Sequence, residues 1–296
     1  WLDKGVDGFR LDAAKHIDDK DQDVTLAWWR EFNRYVKSIN KDAFLVGEAW
    51  NEDPNAVAPF LAVLDSSFNF GFSGFMPEQI RKNETDTVGL LGLTRDAYAL
   101  RAPNFIDCTF IRNHDMDRTA SEFRDIAKQK EAFTMLLTLP GTPFLYYGEE
   151  IGQKGMSPDE HRREPMEWYK ELTGSGMTSW EKPYYNKSND GISIEEEKDL
   201  PDSLYNYIKK LIKIRKENDV MFTQMPKKID AGKLYGYEYN TQEGKIVVLY
   251  NISKESRGYS VDASGFSKVV DLIKDKDVSG EITLNSNETY IIKYFK

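Results

Sequence analysis

The sequence predicts an α/β fold, a parallel sheet with helices packed outside it, followed by a separate all-β domain. Three observations carry this. Short apolar runs alternate with helical periodicity through residues 1–220, and alternating elements of that kind build parallel sheets with crossover helices. Three of those runs end in an acidic residue, Asp12, Glu48 and Asp115. From about Phe222 the helical period gives way to short β-rich runs parted by turn residues, so residues 221–296 are assigned to an antiparallel β-sandwich.

The chain opens with W-L-D-K-G-V-D-G-F-R, a helix end running straight into a strand. Alternation along that strand sends Val6, Gly8, Arg10 and Asp12 to one face and Phe9 and Leu11 to the other. The charged pair is therefore predicted to face inward. Two readings stand side by side: a structural ion pair at a strand end, or a carboxylate kept ionised by its guanidinium and available as a nucleophile. Trp29, Phe32, Val36 and Ile39 then mark one helix face ending near Asn40, and residues 44–48 form the next strand. Further strands are expected at 66–70 and 105–111, a helix at 121–139 stopped by Gly141 and Pro143, and a strand at 144–147.

Residues 169–199 read as a polar loop whose charge run Glu195, Glu196, Glu197, Lys198 and Asp199 is expected to be a solvated face. Pro201, Asp202 and Ser203 start a helix carrying Leu204, Ile208, Leu211 and Ile212 on one side and fading near Asp219. Strands at 234–239 and 246–250 flank the turn T-Q-E-G.

A chain of 296 residues with 40% hydrophobic and 30% charged residues can bury a sizeable core. A net charge of -9 and a pI near 5.1 exclude a phosphate-binding surface, hence nucleic acid as a partner. No run approaches the ~20 apolar residues of a membrane span. Cys108 is the sole cysteine, so no intrachain disulfide forms, and it reads as a small core residue. Asp18, Asp19, Asp21 and Asp23 look like a calcium loop, but the template starting at Asp19 puts Val24 at the glycine position and Arg30 at the bidentate glutamate. A helix-capping loop is the better reading.

In a barrel of parallel strands, the carboxyl ends converge on one face, where active sites are built. Convergence of Asp12, Glu48 and Asp115 would raise the pKa of at least one carboxyl while another stays ionised. Glycoside hydrolysis needs that division: an acid to protonate the leaving oxygen and a carboxylate to attack the anomeric carbon.

The segments G-F-R-L-D-A-A-K-H (residues 8–16), V-G-E-A-W (46–50), F-I-R-N-H-D (110–115) and G-T-P-F-L-Y-Y-G-E-E (141–150) resemble four ordered motifs of the alpha-amylase family of glycoside hydrolases. The resemblance covers roughly residues 1–220, and the β-rich tail matches the family's C-terminal domain in position. It implies a (β/α)8 TIM barrel, of which this chain holds about strands 4 to 8, with the remaining N-terminal half on another stretch of polypeptide. It implies Asp12 as nucleophile, Glu48 as general acid/base and Asp115 as the acid that holds substrate hydroxyls. Arg10 would orient Asp12, His114 would bind a sugar hydroxyl, and Lys15 and His16 match a pair used on the leaving-group side. H-R-R-E-P-M-E-W (161–168) resembles a loop that places Arg163 near substrate, and Trp50 and Tyr147 are candidate sugar platforms.

The implied activity is retaining hydrolysis of α-1,4-glucans such as starch or maltodextrins. A glucan transferase of the same family, or a non-catalytic member that binds sugar or protein, remains as an alternative. No organic cofactor is expected. The family's structural calcium would touch this chain through the backbone carbonyl of His16, its other ligands lying before Trp1.

Overall fold

The computed structural model describes residues 1–84 and 86–296, which fall into two compact units. Residues 1–76, 89–110 and 141–144 make the first; residues 77–88, 111–140 and 145–296 make the second.

The first unit is built on a parallel sheet of four strands in sequential order, β1 (Gly8–Leu11), β2 (Phe44–Gly47), β3 (Ser66–Phe68) and β4 (Ile106–Cys108). Sequential order means that each crossover returns the chain beside the strand it just left. Helices α1 (Gln22–Ile39), α2 (Pro54–Leu61), α3 (Phe70–Lys82) and α4 (Thr87–Ala99) fill those crossovers. The register pairs Gly8 with Phe44 and Leu11 with Gly47, so β1 and β2 end level with one another. Gly8 permits the pairing: a Cβ there would lie 2.0 Å from the Phe44 carbonyl oxygen. Leu11, Leu45, Trp29, Val36, Phe60 and Leu64 are buried in one cluster, with Phe9 packed against it, so the strand residues that alternate with Arg10 and Asp12 face the helices.

The acidic run before α1 is a cap. Asp21 accepts from the amides of Asp23 and Val24, and Asp18 accepts from those of Lys20 and Asp21. Cys108 is buried on β4, where its neighbour Asp107 accepts from Asn69 (2.9 Å) and Arg95 (3.2 Å). Burial pushes the Asp107 carboxyl up, and the Arg95 guanidinium works against that shift.

Two expectations fail here. The run at 144–147 is no strand: Phe144 makes a single parallel bridge to Phe110, with Phe144 N–H donating to the Thr109 carbonyl at 2.8 Å. The expected strand at 105–111 is likewise reduced to β4 plus that bridge. Left-handed Gly141 and Gly148 (φ 130° and 81°) turn the backbone on either side of the bridge and allow no longer ladder. Helices α3 and α4 were not expected. Gly71, Gly74 and Pro77 interrupt the first and Gly89 and Gly92 the second, so neither shows a clean apolar period although Phe70, Phe72, Met76 and Ile80 are buried.

In the second unit, α5 (Thr119–Glu122) and α6 (Ile126–Thr138) replace the single helix expected at 121–139, because Asp125 caps a new start by accepting from the Ala127 amide at 2.9 Å. Short helices α7 (Asp159–Arg162) and α8 (Ile194–Glu197) precede α9 (Leu204–Lys216), capped by Ser203, and α10 (Val220–Thr223). The remainder is antiparallel. Strands β5 (Lys227–Lys228), β6 (Tyr235–Thr241), β7 (Gly244–Tyr250), β9 (Lys268–Asp271), β10 (Lys276–Asp277) and β12 (Thr289–Phe295) form one sheet in the order β10-β9-β12-β7-β6-β5. A second sheet pairs β8 (Arg257–Val261) with β11 (Gly280–Leu284). Val261 and Leu284 of the small sheet share a core with Val247, Val269 and Ile292 of the large one. Among the described residues no helix is long and apolar enough to cross a membrane.

The charge run at 195–199 is not wholly a solvated face. Glu197 ends α8 with its carboxylate buried against the start of α9, accepting from the Tyr205 amide at 2.8 Å. Burial pushes the Glu197 carboxyl up to about 7 and that of Glu131 on α6 to about 7. Glu167 rises to about 8, by burial first and then by the carboxylates of Asp190, Glu164 and Glu196. A carboxyl whose folded-state pKa lies above its unfolded value of 4.5 stabilises the fold fully below that value and loses the contribution as pH rises through 7 to 8. The urea midpoint is therefore expected to fall between pH 5 and pH 9, and to fall less in Glu167→Gln. An identical fall in wild type and variant would remove Glu167 from this account.

Candidate active site

Asp12 is the first residue past β1 and Glu48 the first past β2, and the level register of the two strands sets them side by side. Arg10 joins them. Its Nη1 pairs with Asp12 Oδ1, and its Nη2 lies 2.6 Å from Glu48 Oε1, so one planar fork holds both carboxylates. The exposures differ sharply: the side chain of Asp12 is 78% exposed and that of Glu48 only 8%. Glu48 is thus the sheltered member of the pair and Asp12 the open one. The residue points away from the apolar cluster as alternation requires, but it stands on the turn beyond the strand, where it stays open to solvent.

The turn itself explains how Glu48 is held. Ala13 adopts the left-handed conformation (φ 45°, ψ 43°), which a residue with a Cβ accepts only under constraint from its surroundings. That twist aims the Ala13 amide at Glu48 Oε2 (3.0 Å) and the Ala14 amide at the Glu48 carbonyl (3.0 Å). On the opposite face of β2, Gly47 leaves room for Leu64, since a Cβ there would lie 2.7 Å from Leu64 Cδ1. From the helix side, Trp29 Nε1 donates to the Ala14 carbonyl at 2.7 Å and pins the same turn.

Lys15 and His16 follow in a 3-10 turn, Ala14–His16. Lys15 Nζ donates to the Trp50 carbonyl at 2.9 Å, while His16 Nδ1 lies 2.5 Å from Asp19. Trp50 is 37% exposed and stacks on Phe70 with centroids 4.8 Å apart. Asp18, Asp19 and Asp21 all have partners, and among the described residues there is no group of three or more His, Cys, Asp or Glu placed to hold a metal.

Asp115, His114, Tyr147 and Arg163 belong to the second unit. Asp115 does not end a strand as expected. It sits on the loop after Phe110, because pairing stops at that single bridge. Its carboxylate takes His114 Nε2 at 3.1 Å on Oδ2 and Arg163 Nη2 at 2.6 Å on Oδ1. Arg163 Nε also donates to the His114 carbonyl at 3.1 Å. The Tyr147 hydroxyl donates to the Glu164 carbonyl at 2.9 Å, and its ring lies 4.9 Å from the Arg118 guanidinium carbon.

Several supporting residues were not read from the sequence. Arg118 is fully buried, donates to the carbonyls of Tyr147 (2.6 Å) and Arg162 (2.9 Å), and lies 3.7 Å from Glu149. Glu164 is also fully buried and accepts from the amides of Tyr184, Tyr185 and Asn186 and from Asn186 Nδ2, tying the 184–186 loop down. Asp159 and Arg162 complete the surroundings of Asp115. Asp159 lies four residues before Arg163 with the opposite charge, a helical spacing that could have flagged it. No pattern in the sequence signals the left-handed Ala13.

A family model described as alpha amylase, catalytic domain, matches residues 1–224. "Alpha-amylase 3" of Dictyoglomus thermophilum is 36% identical over 99% of this chain and 59% of its own length. "4-alpha-glucanotransferase" of Thermotoga maritima is 31% identical over 95% of this chain and 60% of its own. The crystal structure of an alpha-amylase from H. orenii superposes on all of this chain and 62% of its own, with a TM-score of 0.87 and 31% identity. The chain thus spans about 60% of the length of these curated relatives.

If Arg10 is what makes a buried Glu48 tolerable, Arg10→Met should cost about 1–3 kcal/mol through the unpaired carboxylate it leaves. Adding Glu48→Gln should recover part of that cost. Urea midpoints of the two single variants and the double variant check this, and strict additivity would contradict it.

Proposed function

The chain belongs to the alpha-amylase family, and from that membership and the Arg10 fork we propose that it carries both reacting carboxylates of a retaining α-glucan hydrolase. The observation that carries the reading is the pair itself: an accessible Asp12 and a sheltered Glu48 at the ends of adjacent parallel strands, within the span of one guanidinium. Retaining glycosidases place their two carboxyl groups about 5 to 5.5 Å apart, which leaves room for attack but not for an intervening water.

In the first step Asp12 attacks the anomeric carbon and Glu48 gives a proton to the departing glycosidic oxygen; the bond to that oxygen breaks and a covalent glycosyl ester forms on Asp12. Glu48 must hold a proton at that moment, whereas its present contacts with Arg10 and the Ala13 amide use it as an acceptor. Bound sugar therefore draws the Arg10 contact onto Asp12, where it keeps the nucleophile ionised and aimed. In the second step Glu48 takes a proton from water, which bonds to the anomeric carbon as the bond from that carbon to the Asp12 carboxylate breaks, restoring the α configuration. Asp115 and His114 hold sugar hydroxyls, Lys15 and His16 serve the leaving-group side, Arg163 borders the substrate, and Trp50 and Tyr147 offer aromatic faces.

The substrate class is α-1,4-linked glucan. The four parallel strands are read as an arc of a (β/α)8 barrel, and strands on another stretch of polypeptide are proposed to pair with the free edge of β1 and close it. A calcium ion would take one oxygen from this chain, the His16 carbonyl, since the acidic side chains beside it are already engaged. Transfer to a second sugar instead of water is a supported alternative, given the similarity to the Thermotoga maritima transferase. A purely sugar-binding role is less well supported, because the sequence fills all three positions that match the family's acids.

The test is an NMR time course of maltoheptaose cleavage by the barrel-complete protein, with Asp12→Asn alongside. Immediate α-anomeric product, lost in the variant, is expected; β-anomeric first product, or cleavage surviving Asp12→Asn, would overturn the reading. Products longer than the substrate would select the transferase.

A further inference from the structure

Asp115 is gripped from two directions by adjacent arginines. Arg163 Nη2 takes its carboxylate at 2.6 Å, and Arg162 Nη1 takes its backbone carbonyl at 3.0 Å. One residue joins those arginines. Asp159 accepts from Arg162 Nη1 on Oδ1 and from Arg163 Nη2 on Oδ2, both at 3.0 Å. Charges of alternating sign thus run Asp117, Arg162, Asp159, Arg163, Asp115, with Asp117 accepting from Arg162 Nε at 2.9 Å.

We propose that Asp159 is a positioning residue for Asp115, acting through Arg163; this rests on the reading of Asp115 as the acid that holds substrate hydroxyls. An isolated exposed ion pair would do little. This network differs because its middle is fixed. Arg162 is largely buried, its carbonyl accepts from the fully buried Arg118, and Asp117 ties it to the Ser157 amide at 3.0 Å. Asp159 transmits that fixed position to the Arg163 guanidinium, which also donates to the Asp115 carboxylate and the His114 carbonyl. Without Asp159 the Arg163 guanidinium can turn, and the Asp115 oxygen it holds turns with it. Arg163 is thereby assigned to orienting Asp115 before it is assigned to touching sugar.

The first measurement uses the 296-residue chain itself: NMR of the arginine guanidinium groups. Restricted Nη rotation at Arg163 is expected in wild type and Asp159→Glu and is expected to be lost in Asp159→Asn, with Arg162 still held by Asp117. Unchanged restriction in Asp159→Asn would overturn the proposal. The second measurement is maltoheptaose hydrolysis by the barrel-complete protein. Asp159→Asn should lower kcat roughly ten- to a hundredfold, the scale of a misplaced contact, more than it raises KM. Asp159→Glu should restore much of it, and Asp159→Asn/Arg163→Gln should be no worse than Arg163→Gln alone, whereas a merely structural role would give additive losses. If Asp115→Asn leaves cleavage intact, the reading of Asp115 fails; if it abolishes cleavage while Asp159→Asn acts like wild type, only the positioning role fails.

Discussion

A guanidinium between two carboxylates is the constraint on which the geometry of the first unit's strand ends depends. Two acids set at level strand ends repel each other, and one of them, Glu48, is almost wholly removed from water. Arg10 offsets both penalties at once because its planar fork offers donors in two directions, which a lysine could not do. The rest of the local structure serves this placement. Gly8 lets β1 approach β2, Gly47 leaves room for Leu64 behind the strand, and the left-handed Ala13 turns an amide onto the oxygen that Arg10 does not hold. Trp29 then locks that turn from the helix layer.

The surroundings of Asp115 follow a different logic. Where Glu48 is held by one cation and a backbone amide, Asp115 sits in a chain of alternating charges that reaches the buried Arg118 through the Arg162 carbonyl. Loops have no ladder to fix them, so an acid on a loop is held in one orientation only by an external frame. Glu164 supplies a second anchor by taking three successive backbone amides of the 184–186 segment. Two further buried carboxylates of this unit, Glu167 and Glu197, are pushed up by burial and link its stability to pH.

Much of this was legible in the sequence. Alternation placed Arg10 and Asp12 on one face and Leu11 on the other, and the acids at 12 and 48 each follow a strand directly, as their apolar runs implied. The failures have physical causes. Periodicity cannot see a helix such as α3, which is apolar on several sides and broken by glycine and proline. Alternation says which way Asp12 points but not what covers it. A charge run looks solvated until a following helix, here α9, needs an acceptor for its first amides and draws Glu197 inside. The φ of Ala13 and the fork of Arg10 are tertiary facts, imposed by strands that meet only after the chain has folded.

The assignment of Asp12 as nucleophile, with Glu48 as its acid, is tested most directly by trapping. The barrel-complete protein would be treated with a fluorinated α-glucosyl fluoride, which forms the glycosyl ester quickly and releases it slowly, and the labelled peptide identified by mass spectrometry. The expected result is a single sugar on the peptide containing Asp12, absent in Asp12→Asn. A sugar on the peptide containing Glu48 or Asp115 would contradict the assignment.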